Sequence, residues 1–93
     1  MPRFLIELRH EPDGLACARF VKLILTSGSH FLTHADWGCQ DGEHSGWIIV
    51  EVDSKEEARS MLPVAFRRQA SIVQLCKFGI AELDELIKHH TAR

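Results

Sequence analysis

The sequence predicts an α+β domain of four strands and two packed helices, closed by a further helix. Three observations carry this. The run Phe4, Ile6, Leu8 alternates apolar residues at strand period. Cys17, Phe20, Val21 and Ile24 recur at helical spacing. Asp41-Gly42 stands between two alternating segments, where it signals a hairpin.

The first strand is Arg3 to Arg9, with Phe4, Ile6 and Leu8 on an apolar face and Leu5, Glu7 and Arg9 on a mixed one. Glu11-Pro12-Asp13-Gly14 breaks the chain, and Asp13 is placed to cap a helix over Leu15 to Thr26. Gly28 is expected to end that helix in a left-handed conformation. The hairpin follows, from Ser29 to Trp37 and from His44 to Val52. A two-residue type I′ turn at Asp41-Gly42 pairs Cys39 with His44, Trp37 with Gly46, Asp36 with Trp47 and Ala35 with Ile48. One face then carries Phe31, Thr33, Ala35, Trp37, Cys39, His44, Ile48, Val50 and Val52. The other carries Leu32, His34, Asp36, Trp47, Ile49 and Glu51.

Ser54 and Glu57 form a capping box for the second helix. Its buried side holds Ala58, Met61, Leu62, Ala65 and Phe66, and Pro63 within it predicts a bend or a break. Arg67 and Arg68 suit the C-terminal end of the helix dipole. Ser71 to Phe78 is the fourth strand, and Gly79 opens a short last helix with Ile80, Leu83 and Ile87 on its apolar side. His89-His90 near its end reads as solvated.

The 93 residues amount to one domain. A 45% hydrophobic and 26% charged composition is that of a soluble globular protein. The net charge of −2 argues against nucleic acid or a membrane surface as partner. No signal-like segment is read, and three cysteines without paired spacing favour free thiols in the cytoplasm. Cys17 and Cys76 are expected in the core.

The order β-α-β-β-α-β is the ferredoxin-like arrangement, in which two helices cover one face of an antiparallel sheet. The bare face would mix Leu5, Trp47 and Ile49 with His34, Asp36, Glu7 and Glu51. Neither water nor a dry core suits that mixture, whereas a half-buried cavity between two sheets suits it. At this point the chain resembles the dimeric α+β barrel superfamily, which includes muconolactone isomerase, YciI-like proteins and small cofactor-free monooxygenases. The resemblance implies a homodimer whose sheets face each other around ligand pockets. It is one of architecture, with no catalytic motif carried over.

His34 and Asp36 share a face, their roots about 7 Å apart at strand rise. A histidine beside a carboxylate is an acid–base pair, and these two are the candidate catalytic residues. The bland alternative is a polar patch at a dimer interface. Trp47, Glu7, Arg9 and Glu51 are the candidate ligand-binding residues, with Arg9 suited to an anionic group or to an intersubunit salt bridge. The reading is a small-molecule-binding protein, an enzyme of proton-transfer or cofactor-free oxidation type, or a binding module alone, acting on a carbonyl- or carboxylate-bearing compound without a cofactor. The alternative is a metal-binding protein that uses Cys39 and His44, with Asp41 or His34 completing a zinc or copper site. The same Cys–His pair is also the residue set of a nucleophile.

Overall fold

A computed structural model describes residues 1–91 of the chain. The strands are β1 (Arg3–Arg9), β2 (Asp36–Trp37), β3 (Ser45–Glu51) and β4 (Ser71–Leu75); the helices are α1 (Gly14–Ser27), α2 (Lys55–Ser60) and α3 (Ile80–Thr91). The strands form one antiparallel sheet in the order β2-β3-β1-β4. In β1, residues alternate between buried Phe4, Ile6 and Leu8 and the more accessible Leu5, Glu7 and Arg9. Ile48 and Val50 of β3 and Ile72 of β4 join the buried set. Ile24 of α1, Ala58 of α2 and Leu62 just beyond it close over them, so both helices lie on one face of the sheet. Across the other face, Leu5 stands between Ile49 on β3 and Val73 on β4, an apolar row over three strands. Ile49 and Val73 are exposed there.

The caps follow the sequence. Asp13 accepts the Ala16 N–H at 3.0 Å. Ser54 accepts the Glu57 N–H at 3.1 Å, while the Glu57 carboxylate accepts from the Asp53 N–H at 2.9 Å, one residue before the usual partner in a capping box. Pro63 breaks the second helix: α2 stops at Ser60 and a 3-10 turn resumes at Val64–Phe66. The break leaves carbonyls without helical donors, and Arg67 supplies them. Its Nε donates to the Leu62 carbonyl at 2.9 Å and its Nη2 to that of Ser60 at 3.0 Å. Arg59 Nη1 similarly donates to the Ala70 carbonyl at 3.2 Å. Arg67→Ala is therefore expected to destabilise the fold by about 1–2 kcal/mol, read by urea denaturation, with Arg67→Lys rescuing little because it lacks the fork of donors.

Several expectations are corrected. Ser29 to Trp37 is not one strand. His30–His34 is a 3-10 turn capped by Ser29, and only Asp36–Trp37 pairs with β3. Hydrogen bonds explain it: the Leu32 N–H reaches the Ser29 carbonyl, the Thr33 hydroxyl reaches the His30 carbonyl, and the Ser29 N–H is tied to Met61 beyond α2. The phase of this segment is thereby lost. Leu32, expected on the bare face, is fully buried, while Phe31, expected in the core, is 64% exposed. The hairpin register holds at Asp36 with Trp47 and Trp37 with Gly46. Its turn is wider than two residues. A type I′ turn needs positive φ at both central positions, and only Gly42 has it, at 86°. Cys39–Asp41 instead forms a 3-10 turn, with the Glu43 N–H on the Gly38 carbonyl.

Gly28 caps α1 in extended rather than left-handed conformation; its small size matters because a Cβ would lie 2.3 Å from Leu32 Cδ1. Ala65 is exposed because Pro63 ends the helical phase before it, and Cys76 is exposed because β4 ends at Leu75.

Candidate functional site

A cavity of about 650 Å³ wraps the free edge of β3: Leu5, Trp47, Ile49 and Glu51 line it from the bare face, Ile48, Val50, Val52 and Met61 from the helix-covered one, and Phe31, His34 and Asp36 complete it. Trp47 is its aromatic wall. Its orientation is set by the register of β1 on β3, which places Glu7 opposite it, and the indole Nε1 donates to Glu7 Oε2 at 2.8 Å. Trp47 and Asp36 face each other across the β2–β3 ladder. His34 reaches the same cavity from the last position of the 3-10 turn, one residue before Ala35 leads into β2. Because β2 is only two residues long, β3 has no strand partner outside Ile48–Glu51, and the cavity opens along that edge.

The sequence-predicted site residues therefore divide. His34, Asp36, Trp47 and Glu51 meet at one cavity; His34 and Asp36 are both exposed within it. Glu7 holds the tryptophan rather than lining the space. Arg9 is separate: it pairs with Ser45 at the far end of β1 and lines another depression with His10, Glu11 and Phe20. A strand rises about 3.4 Å per residue, so a shared face does not bring Arg9 to Leu5 and its neighbours.

Comparison settles no kinship. No family model, curated protein or solved structure matches the chain. Among the described residues, no helix is long and apolar enough to cross a membrane.

On the helix-covered side, a second group converges. The His10 N–H donates to the His44 carbonyl at 3.0 Å, which extends the β1–β3 ladder one step past Arg9 and Ser45. Cys17 comes from the first turns of α1, fixed by its N–H on the Asp13 carbonyl. Cys39 begins the 3-10 turn inside the hairpin loop. Ligand atoms of His10, Cys17, Cys39 and His44 all lie within 4.8 Å of one another. His10 Nε2 is 3.1 Å from the Cys17 sulfur and 3.3 Å from that of Cys39. Phe20 stacks on the His10 ring at 4.8 Å, and Trp37 meets it edge-on at 5.8 Å. Burial in this aromatic setting pushes the His10 pKa below its ordinary value; the Leu8 backbone opposes the change and the His44 ring adds to it. Burial also raises the Cys39 thiol, and the neighbouring Cys17 thiol raises it further.

The structure thus places Cys39 beside His44, and neither His34 nor Asp41 joins them. From the sequence, Cys17 reads as core alone and His10 has no assigned role. A signal for His10 existed: it continues the Phe4, Ile6, Leu8 alternation and is the first polar residue in that buried phase.

Proposed function

We propose that the chain forms a homodimeric, ferredoxin-like α+β barrel that binds a small, partly apolar compound bearing a carbonyl or carboxylate group. The cavity over Trp47 is the observation that carries this reading. It joins an apolar floor of Leu5 and Ile49 to two polar groups, His34 and Asp36, which is the usual make-up of a small-molecule site. His34 and Asp36 are the proposed catalytic pair, for proton transfer or cofactor-free oxidation, with Trp47 stacking on the ligand and Glu51 at the rim. Glu7 orients Trp47. Arg9 is left out of the ligand set because it lines a different depression.

The dimer rests on the uncovered apolar row Ile49, Leu5, Val73 and on the strand order β2-β3-β1-β4 with both packed helices on the other face. A second copy laid on this row would cover it and deepen the cavity. The cytoplasm is the proposed setting for a chain whose three cysteines are free.

Sedimentation at micromolar concentration is expected to give a dimer, and Val73→Glu, which puts a charge into the row, a monomer. Quenching of Trp47 fluorescence by a panel of aromatic carboxylates and ketones is expected to identify a ligand. His34→Ala and Asp36→Asn should each weaken that quenching about tenfold or more while leaving the unfolding midpoint unchanged, since both side chains are exposed. A well-behaved monomer whose Trp47 is untouched by every compound would remove this reading.

A further inference from the structure

We propose that His10, Cys17, Cys39 and His44 form a closed tetrahedral Cys2His2 site for Zn²⁺, none of whose residues lines the Trp47 cavity.

Geometry is the first argument. In tetrahedral zinc with Zn–S of about 2.3 Å and Zn–N of about 2.0–2.1 Å, neighbouring ligand atoms sit roughly 3.3–3.8 Å apart. The 3.1 and 3.3 Å separations from His10 Nε2 to the two sulfurs are close to that, and the whole set lies within 4.8 Å. Contraction by roughly 1–1.5 Å at the widest pair closes it around an ion. The ligands come from four places, namely the ends of β1 and β3, the first turns of α1 and the hairpin loop. The ion would therefore pin the loop to the helix.

The second argument is unmet hydrogen bonding. Nδ1 of His44 is buried without any partner. Meanwhile one nitrogen, His10 Nε2, faces two sulfurs at once. Buried polar groups are normally paired, and the single lone pair of a neutral imidazole nitrogen can accept from only one of the two thiols. A cation at the centre would take His10 Nε2 and both sulfurs as ligands together.

Charge is the third. Two thiolates cancel the two charges of zinc, and two neutral imidazoles add none. The assembled site is neutral, as burial between Phe20 and Trp37 requires. Loss of one proton from each of Cys17 and Cys39 on binding makes the balance complete, with two protons released to solvent per ion. All four positions are filled by protein, so the site is structural rather than catalytic. An entry path exists: a depression of about 720 Å³ between α1 and β2 has Cys17 and Cys39 in its wall.

The test uses the full chain without a histidine tag, kept reduced, stripped of metal by chelator and titrated with Co²⁺ and then Zn²⁺. One equivalent of Co²⁺ should bind and give sulfur-to-cobalt charge transfer with the intense visible bands of a tetrahedral centre. Zn²⁺ should displace it one for one with no further proton release; added instead to the metal-free chain, Zn²⁺ should release two protons and raise the melting temperature. Cys39→Ser and His44→Ala, both at half-buried positions, should each weaken binding on the order of 100-fold or more. Near-UV circular dichroism shows whether each metal-free variant keeps its fold. His89→Ala/His90→Ala, on exposed α3, should change nothing. Binding that persists in Cys39→Ser/His44→Ala, binding lost with His89 and His90, or the absence of stoichiometric thiolate–cobalt bands in the wild type would each overturn the proposal.

Discussion

Leu32→Ala should destabilise the protein by about 2–5 kcal/mol, read as a lower urea midpoint with an unchanged slope. Leu32 sits in the middle of an exposed-looking polar segment, Ser29 to His34, yet none of its surface meets solvent. It lies so close under the end of α1 that Gly28 has no room for a Cβ beside it. Truncation leaves a cavity between α1 and the sheet, and a 3-10 turn held by Ser29 and Met61 cannot collapse freely to fill it. Phe31→Ala and Thr33→Ala, at the exposed neighbours, should fall within about 0.5 kcal/mol of wild type. If the three effects came out in reverse order, the segment would have to be a β-strand in the other phase.

Gly46→Val should cost about 1–3 kcal/mol or more, through overpacking instead of a void. Gly46 pairs with Trp37 across β2 and β3, and a Cβ there would stand 2.5 and 2.6 Å from two atoms of the indole ring. A rigid ring cannot yield as the tip of a flexible side chain would. Trp37 also packs edge-on to Phe20 and His10, so its displacement disturbs the aromatic group behind the hairpin loop. A shift in Trp37 emission accompanying the lost stability is the expected signature. Gly14→Ala is the matching control: a Cβ at Gly14 meets nothing within 4 Å. At the start of a helix that change should be neutral or mildly stabilising.

Local chemistry was readable wherever it decided the outcome. The alternation in β1, the caps at Asp13 and Ser54, and the break at Pro63 each depend on residues a few positions apart. The register that sets Asp36 opposite Trp47 was readable for the same reason, since the hairpin loop centres on Asp41-Gly42 even though the turn is wider. Ser29 to Ala35 was not readable. Its apolar and polar residues alternate as in a strand, but Ser29 is tied to Met61, over thirty positions on, and that bond belongs to the tertiary structure. The same holds for the Cys/His group. Cys39 and His44 are neighbours in sequence and were paired from it. His10 and Cys17 reach them only when β1 and α1 dock, and each had an ordinary place in an apolar pattern.

The helix α3 has a consequence for amide exchange. All twelve of its residues are exposed, and Ile80, Leu83 and Ile87 recur along one side that none of the described residues buries. The chain measures 55 × 29 × 21 Å along its principal axes. A helix of this length is marginal in water when nothing packs on it. Its backbone amides should therefore trade hydrogen for deuterium within seconds in dilute protein, while those of β1 hold out until the whole domain opens. Raising the protein concentration should slow the exchange of α3 only if a second copy covers Leu83 and Ile87. The exchange rate at those amides would then count associated chains directly, independent of any ligand or ion.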